Sequence, residues 1–179
     1  MNSSNPTDKR ELGGRIWLLL SLAIIALDQW SKTWIVQHLR FQVAYPVLPV
    51  LDLTRTYNTG AAFSFLASQS GWQRWVLTGL ALAVAVVIIV YLGRLAARRQ
   101  GLLCAALALI LGGALGNVID RIRLGYVVDF ISFHWHGHYF PAFNIADSSI
   151  TIGAGLLLID LWRESRRPTV PPSPPAGDK

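Results

Sequence analysis

The sequence is short of charge and almost without sulfur. Only 15% of its 179 residues are Asp, Glu, Lys or Arg, against about 25% in soluble domains, which excludes disorder and most soluble folds. The single cysteine, Cys104, excludes a disulfide framework and a four-thiolate metal site. Inside an apolar run it reads as a small buried hydrophobe. Acids are the scarcer sign, 10 against 16 bases, for a net charge of +6. That excess does not point to nucleic acid, because the bases flank apolar segments, where anionic lipid and topology account for them.

What is present is apolar: 53% of the chain, with a mean hydropathy of +0.41. Most of it lies in four segments of about twenty residues, the length that crosses roughly 30 Å of hydrocarbon. The expected fold is an all-α membrane protein with four transmembrane helices, over about 16–34, 75–92, 102–119 and 144–162. A cleaved signal peptide competes for the first segment, but no small-x-small site follows it, so it is expected to be retained. Residues 1–15 form a polar extension before the single membrane domain at 16–162, and the proline-rich tail at 163–179 carries no apolar periodicity.

Residues 35–71 are mixed, with β-branched and aromatic side chains, Pro46 and Pro49, and suggest a small strand-and-loop region between the first two helices. A second polar loop, 120–143, separates the last two; Val127 to Ile131 has strand propensity and His136-Gly137 reads as a turn. Ten of the sixteen bases lie at the amino terminus (Lys9, Arg10, Arg15), in the 93–101 link (Arg94, Arg98, Arg99) or in the tail (Arg163, Arg166, Arg167, Lys179). Both termini are therefore expected in the cytoplasm and both larger loops on the far side. Gly112 and Gly116, four apart, suit close helix packing.

Ionisable groups in or beside a membrane helix are costly and suggest function. Asp28 and Lys32, four apart, are expected to pair on one helix face with Lys32 reaching for the outer interface, or else to meet a bound ligand. Asp120, Asp129 and Asp147 all fall at the outer side of the second half of the chain, where any two could meet. Asn144-x-x-Asp147 also reads as a capping box, and an aspartate in a polar loop, such as Asp129, is commonly just solvated. Two carboxylates in a semi-dry site would share a proton, one acting as base toward water and the other as acid.

Other chemistries are weaker. His134, His136 and His138 would share a face on a strand and offer metal ligands, but the interleaved Trp135, Tyr139 and Phe140 favour an interfacial loop. Ser148 and Ser149 lack a fixed histidine or lysine to activate them. Asn117 and Asn144 can hydrogen-bond a peptide backbone or another helix, Arg121 a carbonyl or a lipid head group. Asn58 and Gly60 suit a turn that needs positive φ. A small proton-coupled transporter using the same carboxylates is the rival reading; it predicts paired charges nearer mid-membrane and internal repeats or broken helices, whereas the second and third spans are unbroken and uncharged and no repeat is found.

Five strings carry a resemblance: Asp28-Gln29-x-x-Lys32; Tyr57-Asn58-Thr59-Gly60-Ala61-Ala62-Phe63; Gly112-Gly113-Ala114-Leu115-Gly116-Asn117-x-x-Asp120-Arg121; Val127-Val128-Asp129-Phe130; and Phe143-Asn144-x-Ala146-Asp147-Ser148. In this order, over most of the chain, the sequence resembles the lipoprotein signal peptidases (signal peptidase II), membrane aspartyl peptidases of bacteria. The resemblance implies that Asp129 and Asp147 are the catalytic pair, that Asn58, Gly60, Asn117, Arg121 and Asn144 line the substrate site, and that Asp28, Lys32 and Asp120 support it. It also implies a diacylglyceryl-modified prolipoprotein as substrate, cleaved just before the lipidated cysteine. No cofactor, metal or nucleic acid is implied; the protein is expected to act as a monomer in lipid, at the outer face of the bacterial inner membrane.

Overall fold

The computed structural model describes residues 13–60, 71–97 and 100–166. The amino-terminal extension up to residue 12, the tail beyond residue 166, and the Ala61, Ala62 and Phe63 of the second string lie outside the described residues. A short 3₁₀ turn (Gly14–Trp17) leads into α1 (Leu18–His38), and three further long helices follow: α2 (Trp72–Leu92), α3 (Gly101–Arg123) and α4 (Ile145–Ser165). Between α1 and α2 run β1 (Tyr45–Leu48) and β2 (Leu51–Asn58); between α3 and α4 run β3 (Val127–Trp135) and β4 (His138–Tyr139).

Among the described residues, α2, α3 and α4 are long and apolar enough to cross a membrane. The 21-residue α1 has the length, but Asp28, Gln29, Ser31 and Lys32 break its apolar run. Each helix is longer than its apolar stretch suggests. Past residue 34, α1 continues because Ile35 is buried and His38 Nδ1 meets Trp34 O at 2.8 Å. Gln73, buried at the start of α2, accepts the Gly71 N–H at 2.9 Å, and Arg74 lies over the Trp75 ring. The polar end of α3 stays helical because Asp120 is matched by a charge from α1.

α3 is the central helix, buried from Cys104 to Asp120. Its glycines permit this. A methyl on Gly112 would stand 2.9 Å from Ile24 Cβ and Ser21 O, and one on Gly116 2.7 Å from Asp28 Oδ2. On the other side, a methyl on Gly113 would run into Ala146 O and Ser149 Oγ. The backbones of α1 and α4 therefore approach α3 as closely as small residues allow. Ala85, Ile88, Leu92, Cys104, Leu107 and Leu111 fill the α2–α3 interface, so Cys104 is indeed a buried hydrophobe.

The two loops form one structure. β1, β2, β3 and β4 make a single antiparallel sheet in chain order. β2 and β3 pair Tyr57 with Val128 and Asn58 with Val127, then shift register between Leu53 and Thr56. Ile35 of α1 packs with Val128 and Phe130 and fastens the sheet to the bundle. The expected turn at His136-Gly137 is present, with φ of 47° and 80°, the positive angles a two-residue hairpin demands. His134 thus lies on β3 opposite Tyr139 of β4, and His138 lies opposite Trp135. The three histidines do not share one strand face, because the chain reverses at the middle one.

Candidate active site

The sequence builds the site from four short stretches that meet at one end of the bundle. α4 begins with a capping box, as expected: Asn144 Oδ1 accepts the Asp147 N–H at 2.9 Å, and Asp147 Oδ2 accepts the Asn144 N–H at 3.4 Å. This satisfies two of the donors a helix start leaves unpaired. A third, Ala146 N–H, goes to Asp28 Oδ1 of α1 at 3.0 Å. Capping and site roles therefore coexist in Asp147, because the cap is what holds its carboxylate beside the others.

Asp129 arrives from β3. The preceding N–H, that of Val128, is taken by Asp120 Oδ2 at 3.1 Å, which ties the strand to the end of α3. Thr56 on β2 pairs with Asp129 and its hydroxyl donates to the Asp129 carbonyl at 3.1 Å. Asn58 stands diagonally across the same face, close enough for cross-strand contact, and its side chain hydrogen-bonds the Asp129 carboxylate.

Asn144 joins the two aspartates. Its Nδ2 donates to Asp129 Oδ1 at 2.7 Å while its Oδ1 caps Asp147; the residue is wholly buried. Asn117 Nδ2 donates to Asp147 Oδ1 at 2.8 Å. Asp129 is 3% exposed, and burial, reinforced by the nearby Asp147 charge, pushes its carboxyl up to about 7 against the amide donors that oppose the rise. Asp129 therefore keeps its proton to a higher pH than an exposed carboxyl would.

A cavity of about 630 Å³ opens onto both carboxylates, lined by Asn58, Asn117, Arg121, Phe140, Phe143 and Ile152 among others. Arg121 Nη2 donates to Gly60 O at 3.2 Å, while its buried Nε has no partner among the described residues. Every expected site residue except Asp28, Lys32, Asp120 and Gly60 lies on this cavity wall or between its carboxylates.

Two expectations are corrected. Lys32 does not reach for the outer interface: it is 3% exposed and turns inward, to Asp28 Oδ2 at 2.8 Å, Asp120 Oδ2 at 3.0 Å and Asn117 Oδ1 at 3.0 Å. Two buried carboxylates outweigh the hydration an ammonium would regain by extending. Nor does the Asn58-Thr59-Gly60 turn use positive φ, which among the described glycines occurs at Gly71, Gly125 and Gly137. Instead Asn58 Oδ1 accepts the Gly60 N–H at 3.0 Å, the side chain replacing a backbone carbonyl in the turn.

Sequence reasoning gave no role to Gln29, whose Nε2 donates to Asp120 Oδ1 at 2.8 Å and Gly116 O at 3.1 Å, nor to the 140–143 segment that walls the cavity. Gln29 beside Asp28 on a membrane helix was the available signal. The extended 140–143 segment carries none. Among the described residues no group of three or more His, Cys, Asp or Glu is placed to hold a metal ion.

Comparisons with known proteins identify the family. The model of the signal peptidase (SPase) II family matches residues 20–163. A protein of Acinetobacter baylyi named lipoprotein signal peptidase is 56% identical over 148 residues, 82% of each chain. One of Pseudomonas putida, with the same name, is 48% identical over 164 residues, 90% of this chain and 95% of its own. Two solved bacterial membrane enzymes share the fold: one at TM-score 0.75 and 30% identity over 92% of this chain and 94% of its own, the other at 0.73 and 32% over 83% and 94%. The transporter reading finds no support among these relatives. A family model covering four-fifths of the chain, on relatives about half identical, leads to one conclusion: the chain belongs to the signal peptidase II family, and it is a membrane peptidase of the aspartic class.

Proposed function

We propose that the protein removes the signal peptide from prolipoproteins whose cysteine already carries diacylglycerol, cleaving just before that cysteine, with Asp129 and Asp147 as the catalytic pair. The observation that carries this reading is the bridge through Asn144, which brings carboxylates from a strand and a helix onto one cavity. The names of the relatives supply the substrate class. The cavity wall supports it as well: Ile150 and Ile152 continue the lining along α4 beyond Asp147, as a substrate anchored in lipid requires.

In this mechanism Asp147 is the ionised member. Both its oxygens already accept N–H donors, and it lies in the first turn of a helix, where negative charge is favoured. It takes a proton from water as the oxygen attacks the scissile carbonyl. Asp129 gives its proton to the carbonyl oxygen, forming a neutral tetrahedral diol. The C–N bond then breaks, Asp147 passes its proton to the leaving amine, and a diol hydroxyl returns one to Asp129, restoring the pair. Arg121, whose side chain lines the cavity, holds a substrate carbonyl, steadied from behind by Gly60 O, while Asn58 forms part of the wall opposite α4.

All four helices cross the membrane in this reading, α1 with its polar quarter turned into the bundle. The domain runs from 16 to 162, the extension at 1–15 and the tail at 163–179 lie in the cytoplasm, and the sheet and the pair lie at the outer face of the inner membrane. Exposed Trp72 and Trp135 sit at the lipid interface. The protein works as a monomer without cofactor. The test is cleavage of purified diacylglyceryl-modified prolipoprotein in detergent by the wild type, Asp129→Asn and Asp147→Asn. Both variants are expected to fold, by thermal unfolding, and to lose cleavage; near-normal turnover by either overturns the assignment.

A further inference from the structure

We propose that Lys32 is a positioning residue for Asp147, acting through the carboxamide of Asn117; the inference rests on the two-aspartate reading above. Lys32 does not line the main cavity and borders a smaller cleft between α1 and α3, so it works at one remove from substrate. Its ammonium carries donors only. The Asn117 atom at 3.0 Å from it must therefore be the oxygen, and the amide nitrogen must face the other way, toward Asp147 Oδ1 at 2.8 Å.

The neighbouring amides show why this needs a lysine. Asn144 and Asn58 also turn their oxygens away from the pair, and in each case a backbone N–H fixes them, that of Asp147 at 2.9 Å and that of Gly60 at 3.0 Å. Such donors exist because one residue starts a helix and the other makes a turn. Asn117 lies inside α3, where the surrounding N–H groups are committed to the helix. The donor has to come from another element, and Lys32 of α1 supplies it. Asn144 Nδ2 adds a longer contact to the same oxygen at 3.3 Å.

Each carboxylate that holds the ammonium is itself anchored: Asp28 by Ala146 N–H at 3.0 Å and Asp120 by Val128 N–H at 3.1 Å. The third ammonium donor is thus directed to Asn117 rather than to solvent. Reversing the amide would set its NH₂ against the ammonium and its oxygen against Asp147, two repulsions at once. Without Lys32 that penalty is halved, the amide turns, and Asp147 loses the donor that orients its carboxylate.

The test compares Lys32→Met, Lys32→Gln, Asn117→Leu and the double variant Lys32→Met/Asn117→Leu, with kcat, KM and thermal unfolding measured for each. Met and Gln both abolish the ion pairs, but only Gln can donate to Asn117 Oδ1. Lys32→Met is expected to lower kcat on the order of 100-fold, the scale of losing one oriented donor, with KM little changed. Lys32→Gln is expected to recover about a tenth or more of wild-type kcat at the same melting temperature, and the double variant to be no slower than Asn117→Leu alone.

Equal kcat for the Met and Gln variants, or additive losses in the double variant, would overturn the proposal in favour of a purely structural lysine. Should Lys32→Met unfold, the same pair of substitutions in an Asp28→Asn background, which restores the buried charge balance, gives the comparison. Turnover retained by Asp129→Asn or Asp147→Asn would instead sink the two-aspartate reading, so the failures are distinguishable.

Discussion

Asn144 Nδ2 lies 2.7 Å from Asp129 Oδ1, and because the opposite end of the same amide caps α4, the helix start and the strand carboxylate are held by one side chain. The cap and the site can be separated by substitution. Asn144→Ser keeps an oxygen for the Asp147 N–H, so the cap survives and stability should fall by about 1 to 3 kcal/mol, the cost of the lost buried donor. The donor to Asp129 is lost, and kcat is expected to drop on the order of 10- to 100-fold. Asn144→Ala, lacking both, should lose activity and melt several degrees lower. Thermal unfolding beside single-turnover cleavage checks both.

In the proposed mechanism the proton on Asp129 sets the pH dependence. Its carboxyl is pushed up to about 7, so cleavage should decline as pH rises through about 7 and the proton is lost. A rate that climbs to pH 10 would require a different base.

The same shift predicts a stability trend of fixed sign. Between its ordinary value near 4 and about 7, Asp129 binds more proton folded than unfolded, so folding is progressively weakened as pH rises across that window. Asp129→Asn does not titrate. Its melting temperature relative to the wild type should therefore climb from pH 5 to pH 7 and then level off.

Gly112, Gly113 and Gly116 of α3 should tolerate no methyl. Gly113→Ala forces a Cβ into Ala146 O and Ser149 Oγ, an overpacking cost of about 1 to 3 kcal/mol, or roughly 2 to 4 °C per kcal/mol in a chain of this size. Gly155→Ala on α4, where nothing lies within 4 Å, should be neutral or stabilising by under about 1 kcal/mol. Melting curves in one detergent compare them.

Chelation offers a simple check on the histidines. Cleavage should be unchanged after dialysis against a chelator, and His134→Ala should retain wild-type turnover, since His134 meets Asp52 at 3.4 Å rather than the pair. Loss of activity restored by a divalent ion would return attention to the sheet.

Composition and apolar run length were enough to define four long helices and their order, because the demand for about twenty mostly apolar residues is local. The capping box at Asn144 and Asp147, the His136-Gly137 turn and the Gly112/Gly116 packing face were legible for the same reason: each needs only a few neighbouring residues. Their ends were not, since Gln73, Asp120 and Arg121 look like loop residues until their partners on other elements are known.

That the two loops form one sheet depended on pairing between β2 and β3, residues about seventy to eighty apart in sequence, and no local signal encodes it. The inward turn of Lys32 was likewise hidden. Spacing alone pairs it with Asp28, but only the packing of α1 on α3 at Gly112 and Gly116 brings Asp120 and Asn117 within reach. The sequence by itself determined which side chains were available for chemistry and on which elements they stood. Tertiary structure decided which met, because close helix approach and cross-strand register convert distant positions into hydrogen-bond distances.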